Sequence, residues 1–263
     1  MSSSPLSERI AVANARGRFG LIPFLTAGFP GSEDFWRILE ELDQAGADIL
    51  EIGVPFSDPV ADGPVVEAAS QRSLANGTTL AGILKGLRER RGRYSSPLVL
   101  MGYYNPFLQY GLARFAAEAA AAGVAGCIVP DLPLEESRAM DEALAAEGLA
   151  LIPLVGLNTS ARRMAAYNRS ARGYAYLVSV LGVTGERSGF PPELAEALDR
   201  ARKAFSLPLA LGFGLSRPEQ LRGLPVRPQA VVFGSALLSH LDAGGTALEF
   251  LGRWQDLPPA FTR

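Results

Sequence analysis

The 263-residue sequence predicts an α/β fold: a single-domain (β/α)8 barrel of the TIM type, preceded by one extra N-terminal helix. Three observations carry this expectation. Eight short apolar runs are each bounded by Gly, Pro or polar residues. Amphipathic stretches separate them, and no low-complexity linker divides the chain. The competing architecture, an open doubly wound sheet, calls for a Gly-x-Gly-x-x-Gly turn after the first strand. Thr26-Ala27-Gly28-Phe29-Pro30 is not such a turn.

The elements follow in order. A helix over residues 7–15 precedes the first strand. Strands are predicted at 21–25, 49–54, 98–101, 126–129, 149–155, 174–180, 207–211 and 230–233. Each is apolar continuously rather than alternately, which suits strands buried on both faces of a parallel sheet. Helices are predicted at 34–45, 83–90, 112–122, 135–147, 161–169 and 192–205, with an insertion at 65–75 after the second strand. Ser32 stands before an acidic first turn, and Gly46, Gly123 and Gly148 close their helices, since glycine accepts the left-handed conformation a helix end requires. Trp36 and Trp254 read as helix residues away from the barrel mouth.

Composition excludes several classes. Lys and Arg number 25 against 27 Asp and Glu, a net charge of −2. A nucleic-acid surface would need a basic face. No run approaches the roughly 20 apolar residues of a membrane span. Residues 1–4 do not read as the start of a signal peptide. Cys127 is the single cysteine, so no disulfide forms within the chain, and a cytoplasmic location is the expectation. His240 is the single histidine, and Lys85 and Lys203 are the only lysines. Zinc ligation by histidines, a Ser-His-Asp triad or a Schiff base would all depend on these three residues. Both lysines fall in helical stretches and read as solvated.

In such a barrel, chemistry collects at the C-terminal ends of the strands. Glu51 is a charged residue inside an apolar strand, on one face with Ile49 and Gly53. A carboxylate there, with no basic neighbour in sequence, should have a raised pKa, which suits proton transfer near neutral pH. A structural glutamate bonded to backbone is the plainer reading. Asp62 lies in the Pro- and Gly-rich loop after the same strand, where an ordinary turn aspartate is equally at home. Asp58 reads as a turn or surface residue. Glu51, Asp58 and Asp62 together could also ligate magnesium through hard oxygens. Glycines end the last strands, at Gly182-Val183-Thr184-Gly185, Gly212-Phe213-Gly214 and Gly234-Ser235. They let backbone N–H groups approach an anion, and a helix starting at Ser235 would add its positive end, so a phosphate cradle is expected. Residues 181–191 read as a lid over the site.

The run Leu50-Glu51-Ile52-Gly53-Val54-Pro55-Phe56-Ser57-Asp58-Pro59-Val60-Ala61-Asp62-Gly63-Pro64 resembles the signature of the tryptophan synthase α-chain family. Pro23-Phe24-Leu25-Thr26-Ala27-Gly28, Met101-Gly102-Tyr103-Tyr104-Asn105-Pro106, Asp131-Leu132-Pro133 and the three glycine turns extend the likeness over the whole chain. The resemblance implies reverse aldol cleavage of indole-3-glycerol phosphate to indole and glyceraldehyde 3-phosphate. It implies Glu51 as proton shuttle and Asp62 as acceptor of the indole N–H. Tyr176 and Thr184 would orient Asp62. Phe24, Met101, Tyr103 and Phe213 would wall the indole pocket. Gly185, Gly214, Gly234 and Ser235 would hold phosphate. It further implies a pyridoxal-phosphate-dependent β chain as partner in an α2β2 tetramer, met through Asp58, Asn105, Asp131 and Pro133 on site-side loops, with no cofactor or metal on this chain. Other readings stand beside it: a lyase releasing free indole without a partner, a weakly catalytic module that activates a β chain, and a glycosidase built on paired carboxylates.

Overall fold

The computed structural model describes residues 4–178, 192–212, 214–224 and 226–255. The chain opens with α1 (Pro5–Ala15), β1 (Gly20–Thr26), α2 (Ser32–Gln44) and β2 (Leu50–Gly53). Next come α3 (Pro64–Ala75), α4 (Leu80–Glu89), β3 (Leu98–Met101), α5 (Tyr104–Tyr110), α6 (Leu112–Ala121), β4 (Val124–Ile128) and α7 (Arg138–Ala146). The second half carries β5 (Ala150–Leu151), β6 (Leu154–Gly156), α8 (Ala161–Asn168), β7 (Ala175–Val178), α9 (Pro192–Ala204) and β8 (Leu209–Gly212). A 3-10 turn (Pro218–Gly223) leads to β9 (Ala230–Phe233), α10 (Ser235–Asp242) and α11 (Ala247–Gln255).

All pairings are parallel, in the order β5-β4-β3-β2-β1-β9-β8-β7-β6. The fifth strand, expected as one run over 149–155, is split. β5 bonds to β4, and β6 bonds to β7. Ile152 N–H still donates to Cys127 O (2.9 Å), while Pro153 O accepts from Tyr176 N–H (2.9 Å). The strand thus passes from one neighbour to the other at Ile152-Pro153, where proline has no N–H to give. That two-residue joint closes the nine segments into an eight-strand barrel.

The strands are buried on both faces, as their continuous apolar runs require. The extra helix α1 seals the N-terminal end of the barrel. Leu6 and Ile10 are fully buried. The Ser7 hydroxyl donates to Gly173 O (2.5 Å), and the Asn14 amide donates to Gln229 O (2.8 Å). Beside it Arg18 holds Asp48 through two nitrogens, and Asp48 also accepts from Leu21 N–H (2.9 Å). A buried carboxylate is retained there because it is both paired and hydrogen-bonded.

Helix ends match the expected signals, with Gly46, Gly123 and Gly148 at φ +90, +86 and +73. One expectation is corrected. Residues 104–106, read as a loop, open α5. The Asp131 carboxylate accepts from Tyr104 N–H (2.9 Å) and satisfies the helix start from 27 residues away. The expected helix over 135–147 begins only at Arg138, after a run of turns.

Candidate active site

β2 delivers Glu51 into the barrel interior, opposite Phe24 of β1 and Val99 of β3. Its side chain is 1% exposed, and neither carboxyl oxygen has a hydrogen-bond partner among the described residues. The Tyr174 hydroxyl, at the start of β7, is likewise buried and unpartnered there. It acts on Glu51 electrostatically without reaching hydrogen-bond geometry. Burial pushes the Glu51 carboxyl up to about 8, and Tyr174 offsets that only in part.

Asp62 follows a turn in which its own N–H donates to Pro59 O (3.0 Å), two residues before α3 begins at Pro64. Burial raises its carboxyl to about 6, against the pull of the Tyr103 hydroxyl, while Glu67 adds to the rise. Tyr103 also accepts from Ala61 N–H (2.9 Å) and stacks on Phe56, with ring centroids 5.3 Å apart. The loop is therefore fastened, at the residue before Asp62, to the segment between β3 and α5. Tyr176, on β7, feels both carboxylates: burial raises its hydroxyl well above the usual value, and Glu51 and then Asp62 add to that.

Two glycines make room for these rings. A Cβ on Gly53 would sit 2.5 Å from Phe24 Cζ, and one on Gly212 would collide with the Tyr176 hydroxyl. Gly53 and Gly212 clear the space that Phe24 and Tyr176 occupy beside the acids.

A cavity of about 490 Å³ joins these groups. Phe24, Glu51, Asp62, Met101, Tyr176, Gly214, Gly234 and Ser235 all line it, as expected from the sequence. At its far end α10 starts at Ser235, with Gly234 at the N-cap and no side chain capping the free N–H groups. Gly214 there takes φ +77, a conformation that favours glycine. Such an N-terminus favours an anion. Tyr103 does not line the cavity but backs Asp62 from behind. Thr184, Gly185, Phe213 and the expected lid, 181–191, lie outside the described residues. Sequence reasoning missed Val66, Leu215, Phe233, His240 and Arg253, which also line the cavity. Val66 sits on the insertion helix, and the last two lie on α10 and α11, outside the strand-end motifs.

Other chemistries find little support. Lys85 and Lys203 are 70% and 73% exposed, beside Glu89 and Asp199 on their own helices. Among the described residues no three His, Cys, Asp or Glu side chains group to hold a metal ion, and Asp58 is exposed. Asp58, Asn105 and Asp131 are exposed and Pro133 half-buried. Among the described residues no helix is long and apolar enough to cross a membrane.

The family model for the tryptophan synthase alpha chain matches residues 10–250. The chain belongs to the tryptophan synthase alpha chain family. It is 61% identical over 256 residues to the alpha chain of Nitratidesulfovibrio vulgaris, covering 97% of this chain and 100% of that one. Against the alpha chain of Desulfovibrio desulfuricans it is 62% identical over 252 residues, covering 95% and 99%. Its fold superposes on tryptophan synthase from Mycobacterium tuberculosis with TM-score 0.87 and 31% identity, covering 96% and 97% of the chains. The alpha chain from Legionella pneumophila gives TM-score 0.83 and 34% identity, covering 96% and 95%. The expected barrel and family both hold. The activity is the lyase step of this alpha chain family, carbon–carbon cleavage of indole-3-glycerol phosphate in tryptophan biosynthesis.

Proposed function

We propose that Glu51 and Asp62 divide the cleavage between them because their environments set different protonation states at neutral pH. The observation that supports this is two carboxyl groups in one cavity, one raised to about 8 and the other to about 6. Glu51, protonated, donates to indole C3. The ring nitrogen then carries positive charge, and ionised Asp62 accepts its N–H. Glu51, now a carboxylate, takes the proton of the adjacent side-chain hydroxyl. The C3–side-chain bond breaks, releasing indole and glyceraldehyde 3-phosphate. The proton lost from the hydroxyl replaces the one given to carbon, so Glu51 ends as it began. Phe24 and Met101 flank the indole, Tyr176 lies against both acids, and the amides at Gly214, Gly234 and Ser235 receive the phosphate. No cofactor is assigned to this chain. Its partner is a pyridoxal-phosphate-dependent β chain in an α2β2 assembly, which takes up the indole in the cytoplasm. Asp58, Asn105, Asp131 and Pro133 form the docking rim.

The test is an indole-release assay on Glu51→Gln and Asp62→Asn, with and without a β chain. Both substitutions keep size and hydrogen bonding but remove the acid. A loss of about two to four orders of magnitude is expected for Glu51→Gln, and a nearly equal loss for Asp62→Asn. A near-normal rate in either variant removes that residue from the mechanism.

A further inference from the structure

The cavity does not stop at the glycine cradle. It continues past the start of α10 to Ser239 and His240 on that helix and to Phe250 and Arg253 on α11. The phosphate, as the Proposed function places it, lies between this outer end and the two acids. The described cavity wall carries only two groups able to hold positive charge, His240 and Arg253.

These two are not equivalent. The His240 ring is committed to the turn into α11 and to the first residues of that helix. Its Nε2 lies 3.1 Å from Thr246 O and 3.8 Å from Glu249, and its ring packs against Phe250 at 5.6 Å. A side chain on Gly245 would collide with it. Arg253 makes no ion pair or hydrogen bond among the described residues. The acid one turn back on α11 is Glu249, whose carboxylate already accepts from Thr246 N–H (3.0 Å) at the start of that helix. Arg253 thus lines the cavity as a cation held by no close contact, its charge acting on Glu249 only through space.

The cradle itself is neutral. Backbone amides and a helix N-terminus favour an anion by partial charge only, and they accept a singly charged or polar group nearly as readily. A full positive charge beside them discriminates in favour of a phosphate dianion.

We propose that Arg253 is a specificity-determining residue for the phosphate end of the substrate, adding a charged contact to the described amide cradle. The assignment rests on the cradle placed under Proposed function. Arg253 takes no part in proton transfer, so it tunes binding that ground state and transition state share. Its removal moves KM rather than kcat.

The experiment compares wild type, Arg253→Gln and Arg253→Lys in the full chain. Three readouts are taken: indole release against indole-3-glycerol phosphate concentration, calorimetric binding of glycerol 3-phosphate, and binding of indole. Arg253→Gln is expected to raise KM and the glycerol 3-phosphate Kd together, by about three- to tenfold given the exposure of the side chain. Indole binding stays at the wild-type value, and Arg253→Lys recovers most of the loss. The gap between wild type and Arg253→Gln closes as ionic strength rises. Unchanged KM and Kd in Arg253→Gln overturn the proposal. So does an equal loss of indole binding, which marks lost packing instead. If wild type itself fails to bind glycerol 3-phosphate, the cradle reading falls and the role of Arg253 falls with it, a result visible before any variant is made.

Discussion

At the residue scale, the two acids should show themselves in a pH profile. In the proposed division of labour, cleavage needs Asp62 ionised and Glu51 protonated. With carboxyls at about 6 and about 8, the rate of indole release is expected to rise with pH through the first value and fall through the second. Tyr103 lowers Asp62 within its raised position. Tyr103→Phe should therefore move the acid limb to higher pH and leave the alkaline limb in place. A Tyr103→Phe profile that merely scales down at every pH would show that the hydroxyl does not act on Asp62. Glu51 was legible in the sequence because an acid inside an apolar strand is conspicuous. The place of Tyr103 was not. Its hydroxyl meets Ala61 across 42 residues, and only the folded loop decides whether an aromatic ring lines a cavity or backs it. Arg253 was hidden for a related reason, since an arginine near a helix end reads as a solvated charge until the neighbouring helix is placed.

At the element scale, α1 illustrates how a segment remote from the chemistry supports it. Leu6 and Ile10 fill the closed end of the barrel. Cβ positions built on Gly173 and Gly126 approach Leu6 Cδ1 to 2.9 and 3.2 Å, and one on Gly20 approaches Ile10 to 3.3 Å. Two strands and the bend before β7 offer glycine where α1 presses closest, so helix and barrel floor are matched in shape. Ile10→Ala would leave a cavity that rigid strand ends cannot close, at a cost of about 2–4 kcal/mol. Chemical denaturation should show that loss in the midpoint, with the slope unchanged. Because α1 touches neither acid, indole release per folded molecule should stay near wild type below the transition. A destabilisation under about 1 kcal/mol would mean that α1 is loosely seated. Period and capping residues made most helices and strands legible. They failed at β5–β6, where the change of neighbour depends on how the barrel closes. They failed also at α5, whose first N–H is satisfied by Asp131 from the next strand end rather than by a local cap.

At the scale of the whole molecule, the barrel has one sealed end and one working end, and the working end carries a continuous rim. Ala61 N–H bonds the Tyr103 hydroxyl, the next residue starts α5, and Tyr104 N–H bonds Asp131. The loop bearing Asp58 and Asp62, the start of α5 and the segment at 131–133 are thus tied in series. Two large apolar side chains stand exposed along this chain of contacts, Val60 at 85% and Leu108 at 48%. Exposed apolar groups beside a site, rimmed by polar ones, mark a surface that a partner covers. The same rim carries Tyr103, which acts on Asp62, so a β chain pressing on it would act on the acid through one hydroxyl. Val60→Asp places a charge where the partner would bury a valine. It is expected to weaken β-chain association by about tenfold or more, and to abolish the stimulation of indole release at limiting β chain. Val60 is exposed and does not line the cavity, so indole release by the lone chain should remain at the wild-type level. Calorimetric titration of the β chain into each protein measures the first effect, and the indole assay at fixed β chain measures the second. Unaltered affinity in Val60→Asp would place the docking surface elsewhere on the molecule. A lone-chain rate that fell with it would mean that Val60 holds the Asp62 loop in place rather than a partner.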